Sequence, residues 1–200
     1  WSQTQILQVM DSVNKFYKEN SFNATWLESL NDPVKSVDVT SYFTSTEPYG
    51  PCASGLSASA QADDKLRQSG VDLTKYQHVI HIFPTLDCWW AGGAEIGGSV
   101  VYINGSLSQG IISHEIGHNY GLFHSHSLAC VTNVCSFSEY GDIFDTMGTN
   151  VGHFNAGQKD LLAWLTPVDQ TYNRKPKMPK PKVPEAITQS SALLPKHSDV

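Results

Sequence analysis

A chain of 200 residues, 40% of them hydrophobic, has the length of one domain and enough apolar material for a full core. It holds no run of about 18 apolar residues, so the sequence predicts no membrane-spanning helix. Residues 1–172 carry 7 Lys and Arg against 17 Asp and Glu, a net charge of −10, and an acidic body of this kind argues against nucleic acid as a partner.

Ile6, Leu7, Met10, Val13, Phe16 and Tyr17 fall at helical spacing and predict an amphipathic helix over 3–19. Asp32-Pro33 breaks the chain, and Val34, Val37 and Val39 suggest a strand near 34–40. Pro48 to Cys52 reads as a loop. Ser57 to Arg67 is rich in helix formers and predicts a helix that stops before Gly70. His78 to Phe83 is the strongest strand signal, closed by Pro84. His78 and His81 fall on opposite faces of such a strand, which argues against a shared metal. A Gly-rich loop with Trp89 and Trp90 runs from Cys88 to Gly98, before a strand at 99–103 and a turn at Asn104-Gly105. Ser106 or Ser108 then caps a helix whose Ile111, Ile112 and Ile116 face the core.

That helix carries the chemistry: His114-Glu115-Ile116-Gly117-His118-Asn119-Tyr120-Gly121-Leu122-Phe123-His124. Four residues apart, His114 and His118 leave one helix face a turn apart and can each reach one zinc ion at about 2.0–2.1 Å. Glu115 sits beside the first ligand without taking a ligand position. Gly121 permits the left-handed backbone that ends a helix, which brings His124 round as third ligand. Three nitrogen ligands leave a fourth position open, the mark of a catalytic rather than a structural zinc. His126 competes with His124 only if the helix ends differently. Further on, a last helix is predicted over 155–165. Residues 173–200 hold 6 Lys and Arg against 2 Asp and Glu, in a Lys- and Pro-rich run that reads as an extended linker or tail.

The pattern H-E-x-x-H-x-x-G-x-x-H resembles the metzincin clan of zinc endopeptidases. Within the clan the chain is most similar to the gametolysin family, through Cys88-Trp89-Trp90-Ala91-Gly92-Gly93, the zinc helix, Glu139-Tyr140-Gly141-Asp142 and Phe154-Asn155-Ala156-Gly157-Gln158-Lys159. Phe16-Tyr17 and Ser21-Phe22 add to the likeness. The resemblance implies an α/β (α+β) metzincin-type fold with a twisted mixed sheet and helices over about 1–121. A smaller, mostly irregular and helical part over about 122–172 would follow, with zinc in the cleft between and a catalytic domain spanning 1–172. It implies a zinc endopeptidase with Glu115 as general base and a Met-turn at Asp145-Thr146-Met147-Gly148. Residues around Glu95 to Tyr102 would then bind substrate in extended form along a sheet edge, with Trp89 and Trp90 as subsite walls or as core. The tyrosine that some clan members place two residues after the methionine is Thr149 here, which leaves His153 and Tyr140 as candidate helpers. The substrate expected is an extracellular protein, matrix component or Pro-rich wall glycoprotein.

Cys52, Cys88, Cys130 and Cys135 make an even set with three pairings. Cys130–Cys135 as a short staple and Cys52–Cys88 as a longer one is the expected arrangement, with a second metal site as the rival use. Asn23-Ala24-Thr25 and Asn104-Gly105-Ser106 fit the N-glycosylation rule. Disulfides, sequons and the clan together point to a secreted protein, and the opening at Trp1 reads as a mature or trimmed product. A monomer is expected. Glu139, Asp142 and Asp145 cluster ahead of the Met-turn, where they would hold calcium or cap the next turn.

Overall fold

Helix α1 (Gln3–Asn20) starts at a reciprocal cap: Ser2 Oγ accepts from the Gln5 amide at 3.2 Å, and Gln5 Oε1 accepts from the Ser2 amide at 2.8 Å. The computed structural model describes residues 1–32, 34–39, 52–149 and 152–165. The apolar face of α1 buries Met10, Val13, Phe16 and Tyr17. Each such side chain stabilises the fold by roughly 1.5–3 kcal/mol when fully removed from water.

Helix α2 (Ala53–Gln68) and a 3-10 turn at Leu73–Lys75 lead to strand β1 (Val79–Phe83). Strands β2 (Gly92–Ala94) and β3 (Val100–Asn104) follow, then helix α3 (Gln109–Asn119). The sheet is mixed, in the order β1-β3-β2. Strand β3 runs parallel to β1, with Val79 opposite Val100, and antiparallel to β2, with Gly92 opposite Ile103. Val101 and Ile103 of β3 meet Ile112 and Ile116 of α3 in one core with the α1 face, Leu122, Met147, Phe154 and Trp164.

The strand before α3 is therefore central, not marginal. Among the described residues the edges are β1 and β2, with β2 the one against α3, because β3 places its two hydrogen-bonding sides on β1 and β2. The strand expected over 34–40 is also corrected, since residues 34–37 form a turn and bends. The Asp38 carboxylate accepts from the Ser29 hydroxyl, the Leu30 amide (3.1 Å), Asn31 Nδ2 (2.9 Å) and the Tyr76 hydroxyl (3.0 Å). Together these bonds, one of them from a residue 38 positions away, close a loop in which Val34 stays exposed.

Beyond α3 the chain forms a hairpin, β4 (Ser127–Val131) and β5 (Val134–Ser138), where an irregular disulfide loop was expected. Helix α4 (Ala156–Leu161) is shorter than predicted. Ala163 adopts φ +58°, and Trp164 folds back onto Tyr17 and Phe154 instead of extending the helix. Disulfides join Cys52 to Cys88 and Cys130 to Cys135. No described helix is long and apolar enough to cross a membrane. The loop expected at Pro48–Cys52, apart from Cys52 itself, and the tail at 173–200 lie outside the described residues.

Candidate metal centre

Helix α3 is buried on almost every side, as befits a helix running between the sheet and α1 rather than over a surface. Tyr17 of α1 donates its hydroxyl to the Ser113 carbonyl at 2.7 Å. Burial, and then the charges of Tyr120 and Glu115, push the Tyr17 hydroxyl well above its ordinary pKa, so it remains a donor. The helix ends in a glycine cap. Gly121 takes φ +88°, its amide donates to the His118 carbonyl (2.8 Å), and the Leu122 amide donates to the Gly117 carbonyl (3.1 Å). The chain thereby reverses within four residues and returns His124 to the helix.

The three imidazoles converge, with one ring nitrogen from each of His114, His118 and His124 lying within 4.8 Å of the others. Their Nδ1 atoms are all engaged from outside. His114 Nδ1 meets the Thr146 carbonyl at 2.8 Å, His118 Nδ1 the Leu122 carbonyl at 2.8 Å, and His124 Nδ1 a Glu139 carboxylate oxygen at 3.0 Å. A carbonyl oxygen only accepts, so these partners assign the proton to Nδ1 and turn the Nε2 lone pairs inward. His118 Nε2 and His124 Nε2 stand 3.1 Å apart. Two nitrogens bound to one ion at about 2.0–2.1 Å and a tetrahedral angle would stand about 3.3 Å apart. The donor set, its tautomers and the spacing of the His118–His124 pair fit zinc.

Glu115 is 1% exposed. A Cβ on Gly92 would fall 2.5 Å from Glu115 Oε1 and 2.8 Å from Ile111 Cγ2, so the edge strand β2 passes directly against this carboxylate. On the other side of the helix, a Cβ on Gly117 would fall 2.6 Å from Met147 Sδ. Met147 is fully buried, its amide donates to Asp145 Oδ1 (2.7 Å), and its carbonyl accepts from the Ser125 amide (2.7 Å). The 145–147 turn thus holds His114 through Thr146 and the segment after His124 through Met147.

Tyr140 lies at the triad, its ring centroid 4.0 Å from that of His124 and 6.1 Å from that of His114. His153 faces elsewhere, with Nε2 3.3 Å from Glu19 and the ring against Phe16. His126 Nδ1 meets the Glu139 carbonyl at 2.6 Å. His78 faces Asn119 and His81 faces Asp63, two separate environments. The acidic cluster is committed to the protein rather than to calcium. Glu139 holds His124, Asp142 accepts from the Phe144 amide (2.9 Å), and Asp145 accepts from the Met147 and Asn155 amides. Trp90 is core and Trp89 is exposed. Of the two sequons, Asn104 is buried with its amide bonded to both backbone groups of Leu86 and to the Trp90 carbonyl, which excludes a glycan there, while Asn23 is exposed. Sequence reasoning missed the Gly92–Glu115 approach and the Glu139–His124 pair, because both depend on pairing between strands.

A cleft of about 620 Å³ opens elsewhere, lined by Asp63, Arg67, Asp72, Tyr76 and Ser99 among others. Among the described residues no group of metal-ligating side chains lies there, and the histidine chemistry places the candidate site at α3.

A buried helix with two histidines a turn apart, a third returned by a glycine cap and a carboxylate beside the first defines a metallopeptidase site. The family model of Gametolysin peptidase M11 matches residues 7–194, and the chain belongs to that family. A comparison with curated proteins gave no match. The protein is accordingly a metallopeptidase, a hydrolase acting on peptide bonds.

Proposed function

We propose that the chain is a secreted zinc endopeptidase whose ion is held by His114, His118 and His124, with Glu115 as general base. The observation that carries this reading is the convergence of three imidazoles whose Nδ1 atoms are engaged from outside, which aims three Nε2 lone pairs at one point. Held by these three imidazoles, zinc would supply Lewis acidity to the scissile carbonyl and to water. Glu115 accepts the proton of the attacking water and delivers it to the leaving amine.

The substrate lies extended along β2, adding a strand to the edge beside which Glu115 sits. Tyr140, rather than His153, is the helper: its ring packs on His124, where its hydroxyl can donate to the developing oxyanion. Met147 forms the floor beneath α3. Two disulfides and the exposed Asn23 sequon support an extracellular setting. There the substrate would be a protein, matrix component or wall glycoprotein, cut by a monomer whose catalytic domain spans 1–172.

Metal content and peptide cleavage measured together on wild type and Glu115→Gln test the assignment. One zinc per chain in both is expected, with kcat lowered in the variant by on the order of 10²–10⁴. Wild-type turnover in Glu115→Gln would remove the base; absence of zinc from wild type would remove the site.

A further inference from the structure

Two of the three histidines are held by main-chain carbonyls, one of them in the turn that follows its own helix. The third is held differently. His124 Nδ1 meets a charged side chain, Glu139, 15 residues away in sequence and brought to it by the hairpin β4–β5. Ser127 pairs with Ser138 at the hairpin base, so His124 and Glu139 flank the same end of the ladder. Near the other end Cys130 lies directly opposite Cys135, and a disulfide joins them.

The bond fixes the register. An antiparallel slip of one residue would carry Glu139 about 3.4 Å along the strand and turn its side chain to the other face. The base is fixed a second time by His126 Nδ1, which meets the Glu139 carbonyl at 2.6 Å. It is also fixed by Gly141, where any Cβ would overlap Ser127. The strands themselves are exposed along their length and bury little that would otherwise hold them in place.

On the reading that the three histidines hold zinc, we propose that Glu139 is the positioning residue of the third ligand and that the disulfide-closed hairpin is the arm that delivers it. His124 sits on a loop beyond the helix end, where nothing in helical geometry sets its ring orientation. Glu139 sets that orientation and fixes the Nδ1–H tautomer, so that Nε2 presents its lone pair to the ion. Tyr140, the next residue, packs on the face of the same ring, so one short segment holds His124 by edge and by face.

The test is zinc affinity of the full chain, measured by competition with a chromogenic chelator. Glu139→Ala and the near-isosteric Glu139→Leu should bind zinc about 10–100-fold more weakly than wild type, while Glu139→Gln, which keeps an acceptor for Nδ1–H, stays within about threefold. Cobalt(II) loaded in place of zinc should show a shifted visible spectrum in Glu139→Leu and an unshifted one in Glu139→Gln. Should the alanine variant fail to fold, the Leu and Gln pair carries the comparison. Wild-type zinc affinity in Glu139→Leu, with affinity lost in His124→Ala, would overturn the role of Glu139 and leave the zinc site standing. Undiminished zinc binding in His124→Ala would instead overturn the site, and this inference with it.

Discussion

Two glycines set how closely the residues of the site approach one another. At Gly92 the strand passes so near Glu115 that a methyl group would meet the carboxylate oxygen at 2.5 Å, so Gly92→Ala must displace either β2 or the proposed base. Peptidase activity should fall in this variant, with a stability loss of about 1–3 kcal/mol read from denaturant unfolding. At Gly117 alanine would gain up to about 1 kcal/mol of helix propensity, but its methyl would fall 2.6 Å from Met147 Sδ and 3.2 Å from Phe154 Cε1, both fully buried neighbours. The overlap should win, and Gly117→Ala should unfold at lower denaturant than wild type.

Titration at single residues gives a further prediction. Burial holds the His81 imidazole below its ordinary pKa, outweighing the Asp63 carboxylate at 3.5 Å, and burial likewise lowers His78 against its bond to Asn119 Oδ1. In the window between the lowered folded pKa values and the unfolded value near about 6.5, the unfolded chain binds more protons than the folded one. Their contribution is therefore fully present above that value and lost as pH falls through the folded pKa values. Thermal midpoints should drop on acidification below neutrality, and less so in His81→Phe, which keeps the stacking on Tyr102 without a titrating group.

At the scale of elements, the glycine cap of α3 and the two disulfides do different work. The cap brings His124 to His114 and His118, because a left-handed residue at 121 lets Leu122 bond back to Gly117 while the chain turns towards them. The disulfides enclose loops of unequal size, with sequence separations of 36 for Cys52–Cys88 and 5 for Cys130–Cys135. Chain entropy alone assigns them about 4 and about 2 kcal/mol. Replacing the first pair by alanine should lower the thermal midpoint more than replacing the second. Replacing the second should weaken zinc binding more, through Glu139.

Over the whole molecule, α1 is the strap. Tyr17 bonds the middle of α3, Asn20 accepts from the Phe154 amide at 2.9 Å, and Phe16, Tyr17, Phe154 and Trp164 pack ring on ring at 5.4–6.1 Å. Asn20 is fully buried, so Asn20→Ala leaves the Phe154 amide without its acceptor, at a cost of about 1–3 kcal/mol measurable by denaturant unfolding. The loss should reach the site as well, because Phe154 lies against the Gly117 turn of α3.

What the sequence determined by itself was local. Periodicity marked α1 and the middle of α2, β-branched runs marked β1 and β3, and the offsets within one helix and its glycine cap marked His114, Glu115, His118 and His124. These features depend on spacings of one to four residues, which helix and strand geometry convert directly into faces. The tertiary structure alone decided that β2 lies at an edge and β3 between two strands, that residues 34–37 are a loop and that Asn104 is buried. It also brought Glu139 to His124, Gly92 to Glu115 and Tyr140 rather than His153 to the triad. Each of those outcomes rests on a register between strands or on a neighbour far along the chain, and side-chain periodicity carries no record of which partner a strand will find.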